Sequence, residues 1–253
     1  MNVLAIIQAR MGSTRLPGKV LLSLEGKTVI EHVVERVKCA KLVDEVIVAT
    51  SININNLPLI RVCAEKNIRV FCGSEEDVLD RFFQLAKLLV PAHIVRITAD
   101  CPVIDPAIID KIIATHFLEN ADYTSNTIDE TYPDGLDIEI FTYKSLTQAW
   151  NEASLSSERE HVTPYIKKHP DLFLLKSIVS DINYADKRWT LDTELDFEFL
   201  RSIFNILYKK NHFFSMNDIL HLIKKQPSLE KINSNIIRNE GYLNSLKKDE
   251  IIK

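Results

Sequence analysis

Three cationic side chains and two glycines lie in one short segment near the start of the sequence. The segment reads ARMGSTRLPGKV over residues 9–20 and contains Arg10, Arg15 and Lys19. Gly12 lets backbone amides approach an anion closely, while guanidinium and ammonium groups supply positive charge to phosphate oxygens. Because the segment directly follows an apolar run, we interpret it as a phosphate-binding loop after a first strand. A solvated basic turn is the alternative interpretation.

The spacing of this loop excludes two common classes of nucleotide site. A Walker P-loop requires G-x-x-x-x-G-K-[ST]. Here five residues separate Gly12 from Gly18, and Lys19 is followed by Val20, which has no hydroxyl. A dinucleotide fingerprint requires G-x-G-x-x-G opening a helix, but Pro17 interrupts this loop. The pattern therefore indicates a loop that wraps a nucleoside triphosphate in another way.

Two aspartates have positions that suit a metal-bound triphosphate. Asp100 lies in ITADCP, where Pro102 ends an apolar run, and its carboxylate would face the basic loop. A turn or helix cap is the other interpretation of Asp100. Asp192 lies in WTLDTELD, just before an amphipathic stretch, and could simply cap a helix. If Thr193 supplies that cap, Asp192 is free to turn towards the site.

A second group of polar side chains is a candidate for acceptor binding. Asp137 and Glu139 are two residues apart in a predicted strand, so they point to the same face. Adjacent carboxylates suit the hydroxyls or an amine of an acceptor, although a solvated strand face is equally typical of this pattern. Arg159 and His161, in EREH, could contact an acid group of the acceptor or join an inter-subunit network.

Composition bounds the class of protein that holds these residues. The chain has 253 residues, of which 46% are hydrophobic and 26% charged, as in an ordinary soluble globular protein. Its net charge of −4 gives no basic field for nucleic acid. Apolar runs are too short to cross a bilayer, and the start of the sequence lacks a secretory pattern, so we expect a cytoplasmic protein. The four scattered cysteines predict buried thiols without a metal or redox role.

The first half alternates apolar strand patterns with amphipathic helices, which predicts a doubly wound, mostly parallel α/β sheet. The predicted strands cover residues 3–9, 45–50, 69–73 and 93–99, and the predicted helices 29–40, 57–66, 77–89 and 106–119. In such sheets ligands bind beyond the carboxyl ends of the strands, where strand order reverses. Thr50 ends the second predicted strand, where its hydroxyl could reach a nucleoside.

The rhythm changes after about residue 122. Short alternating strands are followed by predicted helices at 143–153 and 158–168, strands at 173–179 and 188–193, and helices at 194–208 and 215–225. We expect a single domain over 1–253, with an inserted, β-containing arm at about 130–175. Residues from about 205 to 253 form a predicted C-terminal helical extension whose polar end frays.

Several blocks of the sequence resemble one enzyme family. LAIIQARMGSTRLPGKVL is similar to the signature of the nucleotidyltransferases that activate acidic sugars with CTP, the CMP-Kdo and CMP-sialate synthetases. GSEEDVLDRF, VRITADCPVIDP, TYPDGLDIEIF, EREHVTPYI and RWTLDTELDFEFLR resemble the branch called spore coat polysaccharide biosynthesis protein F. The blocks keep one order from residue 1 to about 205. The resemblance implies a Rossmann-like nucleotidyltransferase fold and a homodimer formed through the 130–175 arm.

The resemblance also implies an activity: CMP passes from CTP to a 3-deoxy-2-ulosonic or nonulosonic acid, and pyrophosphate is released. Arg10, Lys19 and Asp100 are the implied catalytic residues, and Asp100 and Asp192 the implied Mg²⁺ ligands. Asp137, Glu139, Arg159 and His161 are the candidate residues for the acidic sugar. The candidate nucleotide-binding residues are Ala9, Arg10, Met11, Gly12, Ser13, Arg15, Lys19, Thr50, Ser74, Arg81 and Asp100.

Two alternatives stay open from the sequence. One keeps the fold and replaces the acceptor with a phosphorylated sugar or alcohol, which gives a nucleoside-diphosphate product. The other is a nucleotide-binding module without catalysis. Loss of Arg10, Lys19 or Asp100 would favour that module, but all three residues are present.

Overall fold

A seven-stranded sheet runs through the computed structural model, which describes residues 2–252. The sheet order is β5-β4-β1-β6-β8-β7-β9, and a separate two-stranded hairpin pairs β2 with β3. The strands are β1 Val3–Gln8, β2 Ser23–Leu24, β3 Lys27–Thr28, β4 Glu45–Ser51, β5 Val70–Gly73, β6 His93–Thr98, β7 Tyr123–Ser125, β8 Glu139–Thr142 and β9 Leu175–Ser177.

The parallel half of the sheet creates one edge at which several loops meet. Strands β5, β4, β1 and β6 run parallel, and β1 lies between β4 and β6. The chain moves from β1 towards β4 and β5, and later returns to pair β6 with the other side of β1. Strand order therefore reverses at β1, and the loops after β1 and β6 flank a crevice there.

Helices cover both faces of the sheet, as expected for strands as apolar as β1. One buried cluster joins the sheet to α1, α2, α4, α8 and α9, and a second joins it to α3, α5 and α7. The helices are α1 Val29–Lys38, α2 Leu57–Glu65, α3 Val78–Leu89, α4 Pro106–Leu118, α5 Tyr143–Glu152, α6 Ser156–His161, α7 Pro164–Lys168, α8 Glu194–Leu207, α9 Met216–Lys225 and α10 Glu240–Lys247. Among the described residues, no helix is both long and apolar enough to span a membrane.

The predicted doubly wound, mostly parallel fold is confirmed, and the differences lie in the second half. β8 joins the central sheet and runs antiparallel to β6. The single helix predicted at 158–168 was wrong: it is divided into α6 and α7, because Val162 has a φ of 71° and Pro164 has no N–H to continue the helix.

The strand predicted at 188–193 forms only one bridge, between Arg188 and Asp134. Its backbone amides donate hydrogen bonds to carbonyl groups of two different segments. The Trp189 amide donates to the Asp134 carbonyl at 2.7 Å, and the Leu191 amide donates to the Asp100 carbonyl at 2.8 Å. This segment therefore ties the loop after β6 to the loop before β8, which no pattern within residues 188–193 could show.

The C-terminal end, predicted to be a polar helical extension, makes specific contacts with the rest of the chain. α10 contacts α6, and an isolated bridge joins Ile251 to Leu155. The Asp249 carboxylate accepts hydrogen bonds from the hydroxyls of Ser156 and Ser157, at 3.1 and 2.7 Å. No residue of α10 is buried, so polar contacts hold this end in place.

Gly135 allows the loop before β8 to approach residues 188–192. A Cβ atom there would lie 2.5 Å from the Thr190 nitrogen and 2.6 Å from the Trp189 carbonyl carbon, and the φ of Gly135 is +101°. Both the contact and the backbone angle disfavour every other residue.

We predict that Gly135→Ala lowers the free energy of unfolding by about 2–4 kcal/mol, because it combines overpacking against backbone with an unfavourable φ. Urea unfolding followed by circular dichroism measures this change. Gly12→Ala is the matched control, since nothing lies within 4 Å of a Cβ built at Gly12. Equal effects of the two substitutions would contradict the close approach.

Candidate active site

Two adjoining clefts open at the carboxyl edge of the parallel strands. The first, the loop cleft, has a volume of about 670 Å³ and is lined by the basic loop after β1. The second, the acidic cleft, has a volume of about 340 Å³ and contains Asp134, Asp137 and Glu139. Both are lined by Arg15, Thr98, Asp100, Asp192, Glu240 and Gly241. The two clefts therefore meet at the predicted metal ligands.

At that boundary, one ammonium group lies between two carboxylates. Lys19 Nζ donates to Asp100 Oδ2 at 2.6 Å and to Asp192 Oδ1 at 2.7 Å. Arg15 Nη2 forms a further ion pair with Asp192 Oδ2 at 2.9 Å. Although burial opposes it, the Lys19 charge lowers the pKa of Asp100 to about 2. The structure thus brings together Arg15, Lys19, Asp100 and Asp192, which the sequence placed in three distant segments.

Asp192 can face the site because other residues do the work of capping α8. The Thr193 hydroxyl accepts from the Asp196 amide, and the Asp196 carboxylate accepts from the Thr193 amide, which completes a capping box. The prediction that Thr193 supplies the cap is confirmed.

A buried arginine, Arg188, fixes the carboxylates behind the site. Its guanidinium donates to Asp134 at 2.8 Å, to Asp192 at 3.1 Å and to Asp196 at 2.9 Å. Asn233 also donates to Asp196 at 2.9 Å. Sequence reasoning missed Arg188 and Asp196, because residues 188–192 are not helical and no local spacing rule joins Arg188 to Asp192.

The basic loop is shaped by hydrogen bonds of its own backbone. The Met11 carbonyl accepts from the amides of Ser13 and Gly18, both at 3.0 Å. The Met11 amide donates to Asn56 Oδ1 at 2.8 Å, a contact that sequence reasoning missed. Two of the three amides expected to grip phosphate, those of Met11 and Ser13, are therefore already used in this conformation.

The remaining loop residues stay available to a ligand. Ala9, Arg10 and Ser13 line the loop cleft, and Arg10 is exposed. Gly12 is also exposed, with open space around its α-carbon. Gly18 has a φ of +71° and begins the short 3-10 helix Lys19–Leu21, which turns the Lys19 side chain inwards.

Five of the predicted nucleotide-binding residues line neither cleft: Met11 and Gly12 in the basic loop, and Thr50, Ser74 and Arg81 outside it. Thr50 is fully buried in β4. The Arg81 guanidinium is buried and donates to the carbonyls of Ser74, at 2.8 Å, and Glu75, at 3.0 Å. The Ser74 hydroxyl accepts from the Asp77 amide at 3.1 Å. These groups shape the loop after β5, and their assignment to nucleotide binding receives no support from this geometry.

The two carboxylates predicted to bind the acceptor, Asp137 and Glu139, line the same cleft, but their pKa values are shifted in opposite directions. Glu139 accepts from the Tyr123 hydroxyl at 2.6 Å and pairs with Arg96. Although burial opposes it, the Arg96 charge lowers the pKa of Glu139 to about 2. Burial raises the pKa of Asp137 to about 7, against the opposing effect of Arg238, whose Nη2 donates to it at 2.9 Å.

The other two residues predicted for the acceptor separate in the structure. Arg159 lines neither cleft: its Nε donates to Asp77 at 2.7 Å and its Nη1 to the Trp150 carbonyl at 3.0 Å, so it joins α6 to the start of α3 and the end of α5. His161 lines the acidic cleft, and its Nε2 lies 3.1 Å from the Ser245 hydroxyl. Burial lowers the pKa of His161 to about 4, so the ring is neutral near pH 7.

The donor set between the clefts suits a hard divalent cation. Asp100 and Asp192 already converge on one positively charged atom, and carboxylate oxygens are the ligands that Mg²⁺ prefers. Within residues 2–252, no group of three His, Cys, Asp or Glu side chains is arranged around a metal position. Mg²⁺ is typically held by one or two carboxylates together with substrate phosphates and water. The pair therefore fits a metal that arrives with a phosphate ligand.

Comparison with known proteins identifies the family to which this architecture corresponds. A family model described as cytidylyltransferase matches residues 4–231. An uncharacterised protein of Methanocaldococcus jannaschii is 37% identical over 96% of this chain and 98% of its own length. Spore coat polysaccharide biosynthesis protein SpsF of Bacillus subtilis is 33% identical over 89% of this chain and 95% of its own length.

Solved structures agree with the fold. A cytidylyltransferase from Leptospira borgpetersenii is 35% identical, with a TM-score of 0.85, over 94% of this chain and 98% of that one. A CMP:2-keto-3-deoxy-manno-octonic acid synthetase complexed with CTP is 18% identical, with a TM-score of 0.62, over 81% of this chain and 99% of that one. At this lower identity the likeness shows the fold alone.

Replacing Lys19 by methionine should destabilise the metal-free protein by about 2 kcal/mol at pH 7, because two partly buried carboxylates lose their shared cation. The Asp100 pKa lies below its ordinary value of 3.8, so the ion pair contributes fully above about pH 4. That contribution is lost as the pH falls through about 2. The difference between the two proteins should therefore be constant from pH 7 to 5 and shrink below pH 4.

Urea unfolding in EDTA at a series of pH values measures this difference. Lys27→Met is the control, because Lys27 pairs with Glu35 on the surface and such pairs contribute about 0–1 kcal/mol. A Lys19→Met effect no larger than that of Lys27→Met would show that the central ion pair does not hold the site together.

Proposed function

This chain belongs to the cytidylyltransferase family, and we propose that it transfers CMP from CTP to an acidic sugar and releases pyrophosphate. The proposed acceptor is a 3-deoxy-2-ulosonic or nonulosonic acid, and the product would serve surface polysaccharide biosynthesis. One observation carries the proposal: Lys19, Asp100 and Asp192 converge beside a basic loop at the point where strand order reverses. The cytidylyltransferase family match supports the use of CTP, and the relatedness to SpsF, a spore coat polysaccharide biosynthesis protein, supports the proposed role of the product.

The basic loop would hold the triphosphate. Arg10 is exposed at the loop cleft, and Arg15 and Lys19 lie at its boundary with the acidic cleft. Guanidinium groups suit bidentate binding of phosphate oxygens, while the Lys19 ammonium is a point charge that can follow charge onto the departing pyrophosphate. Catalysis would be positioning and electrostatic stabilisation of an in-line attack at the α-phosphorus.

Asp100 and Asp192 would hold Mg²⁺ together with the phosphates. A bound Mg²⁺ offsets phosphate charge and lowers the pKa of an oxygen that it contacts. In the free structure, Lys19 occupies the position between the two carboxylates. Binding of the metal–nucleotide complex would therefore transfer the Lys19 ammonium from carboxylate to phosphate oxygens, which keeps every charge compensated.

The acidic cleft would receive the sugar. Asp137 Oδ1 accepts from Arg238, and its Oδ2 would bind hydroxyls or an amine, whereas Glu139 is engaged by Tyr123, Thr163 and Arg96. Besides Arg15, two cations line this cleft, Arg96 and Lys167, and either would attract the carboxylate of an acidic acceptor. The mixture of acidic and basic groups matches a polyhydroxylated acid better than a neutral alcohol.

We also propose that the protein works as a cytoplasmic homodimer formed through the 130–175 region. The strand β9 lies at the edge of the sheet, and four exposed apolar residues, Leu172, Leu174, Val179 and Ile182, surround it. Such an edge favours pairing with a second copy. The four cysteines are free thiols, which fits a reducing compartment. Cys63 and Cys101 are buried as predicted, but the prediction was wrong for Cys39 and Cys72, which are exposed.

The dimer predicts a change of mass in a surface variant. Leu174→Glu should convert a dimer to a monomer in sedimentation equilibrium, because it puts a charge into an apolar contact. Leu118→Glu, at the C-terminal end of α4, is the control at a leucine that is 80% exposed, against 56% for Leu174. A monomeric wild-type protein, or a dimer that survives Leu174→Glu, would contradict the proposed interface.

The activity is tested by incubating the protein with Mg²⁺, each nucleoside triphosphate and a panel of acceptors, with pyrophosphate and product mass as readouts. We expect turnover with CTP and a 3-deoxy-2-ulosonic or nonulosonic acid. Asp100→Asn should lower kcat by at least about 100-fold, since a lost charge-stabilising group at a reacting centre costs that much. Asp181→Asn, a change of an exposed carboxylate, should leave turnover unaltered.

The products distinguish the alternatives. A CMP ester without a diphosphate supports the proposal. Turnover only with phosphorylated sugars or alcohols would give a nucleoside-diphosphate product and overturn the acceptor assignment. Binding of CTP without turnover of any acceptor would favour a module that binds nucleotide without catalysis.

A further inference from the structure

The C-terminal segment 238–252, here called the cap, lies across the boundary between the two clefts. Glu240 and Gly241 line both clefts. Ser245 and Lys248 line only the loop cleft, and Tyr242 lines only the acidic cleft. The family match ends at residue 231, so these cleft-lining residues lie outside the matched region.

Polar contacts attach the cap, together with one ring contact between Tyr242 and His161, whose centroids lie 4.9 Å apart. At its start, Arg238 Nη1 donates to the Tyr132 carbonyl at 3.0 Å, and Nη2 donates to Asp137. At its end, Asp249 accepts from α6, and Ile251 bridges to Leu155. The helix between these anchors buries no residue. A segment with few buried apolar contacts opens at low free energy, so its position responds to changes in single ionic contacts.

One ionic contact joins the cap to the basic loop. Glu240 Oε2 accepts from Arg15 Nη1 at 2.7 Å, while Arg15 Nη2 pairs with Asp192. Both cations at the boundary of the clefts, Arg15 and Lys19, are therefore neutralised by carboxylates in the free protein. Glu240 accepts a hydrogen bond from the Arg15 guanidinium as a phosphate oxygen would, because carboxylates and phosphates present similar acceptor geometry to arginine.

A triphosphate in the loop cleft competes directly with Glu240. It carries more negative charge than a carboxylate, and it would repel the Glu240 side chain at short distance. The anchors at Asp249 and Ile251 do not face the cleft, so they would persist when the Arg15 contact breaks. Loss of this contact therefore loosens the first turn of α10, while the anchors at Arg238, before the helix, and at Asp249, after it, stay attached.

We propose that residues 238–252 form a cap that the triphosphate releases, so that nucleotide binding opens the acidic cleft to its acceptor. Glu240 is a positioning residue: its ion pair with Arg15 keeps the cap closed until a phosphate of the nucleotide replaces Glu240 as the partner of Arg15. The inference rests on the proposed function, because it takes CTP as the ligand of the loop cleft. It predicts an ordered mechanism in which CTP binds before the sugar.

Hydrogen exchange of the wild-type protein tests the cap directly. Addition of saturating CTP and Mg²⁺ should raise the exchange rate of amides in residues 240–245, while amides of residues 249–252 stay protected. Glu240→Gln should show the faster exchange of 240–245 without nucleotide. The same variant should bind CTP about two- to five-fold more tightly in calorimetry, since the competing anion is removed from a partly exposed ion pair.

Glu250→Gln is the matched control. It removes the same charge from an exposed position of the cap that lies in neither cleft, and it should change neither exchange nor CTP affinity. Glu240 is itself exposed, so its substitution leaves the core intact.

The outcomes separate the cap from the proposed function. Normal CTP binding with unchanged or slower exchange of 240–245 would overturn the cap and leave the proposed function standing. Weaker CTP binding by Glu240→Gln would overturn it as well. If calorimetry detects no CTP binding to the wild-type protein, the proposed function fails, and the cap fails with it.

Discussion

The sharing of one ammonium by two carboxylates is the contact on which the site depends. Asp100 and Asp192 lie 2.6 and 2.7 Å from Lys19 Nζ, and they come from positions 81 and 173 residues further along the chain. Two carboxylates that both contact one atom lie close together. Without a cation between them they would repel each other strongly, because they are partly buried and water screens their charges poorly. The arrangement therefore demands that some cation is present at every stage, whether ammonium or metal.

Most of the surrounding structure serves to bring these three groups together. The parallel pairing of β1 with β6 places the basic loop beside Asp100. Gly135 admits the backbone of Trp189 and Thr190, and the Leu191 amide then donates to the Asp100 carbonyl. Behind Asp192, Arg188 is held by the buried carboxylate of Asp196. The site is thus built on strands and buried ion pairs, and the part that can move is the polar C-terminal segment that lies across it.

Local pattern was sufficient for the fold and for the basic loop with Asp100, whereas Asp192 was predicted from the family resemblance and the surroundings of the site were not predicted. Apolar strands alternating with helices specified the parallel sheet, and the carboxyl-end rule then placed Asp100 near the basic loop. Thr50 satisfied the same positional rule and Arg81 was implied by the resemblance, yet both side chains are buried away from the clefts. Whether such a side chain reaches the cleft depends on its burial and on its contacts with distant segments, and a local sequence pattern shows neither. The contact of Arg15 with Glu240, 225 residues away, was unforeseeable for the same reason.

The most direct test of the central claim is the affinity for CTP of Asp100→Asn and Asp192→Asn, measured by calorimetry with and without Mg²⁺. If the two carboxylates exist to hold a cation against phosphate, each substitution should weaken binding when Mg²⁺ is present. In EDTA, each should strengthen binding, because a carboxylate that repels the triphosphate and competes for Lys19 has been removed. Effects of the same sign under both conditions would contradict the account.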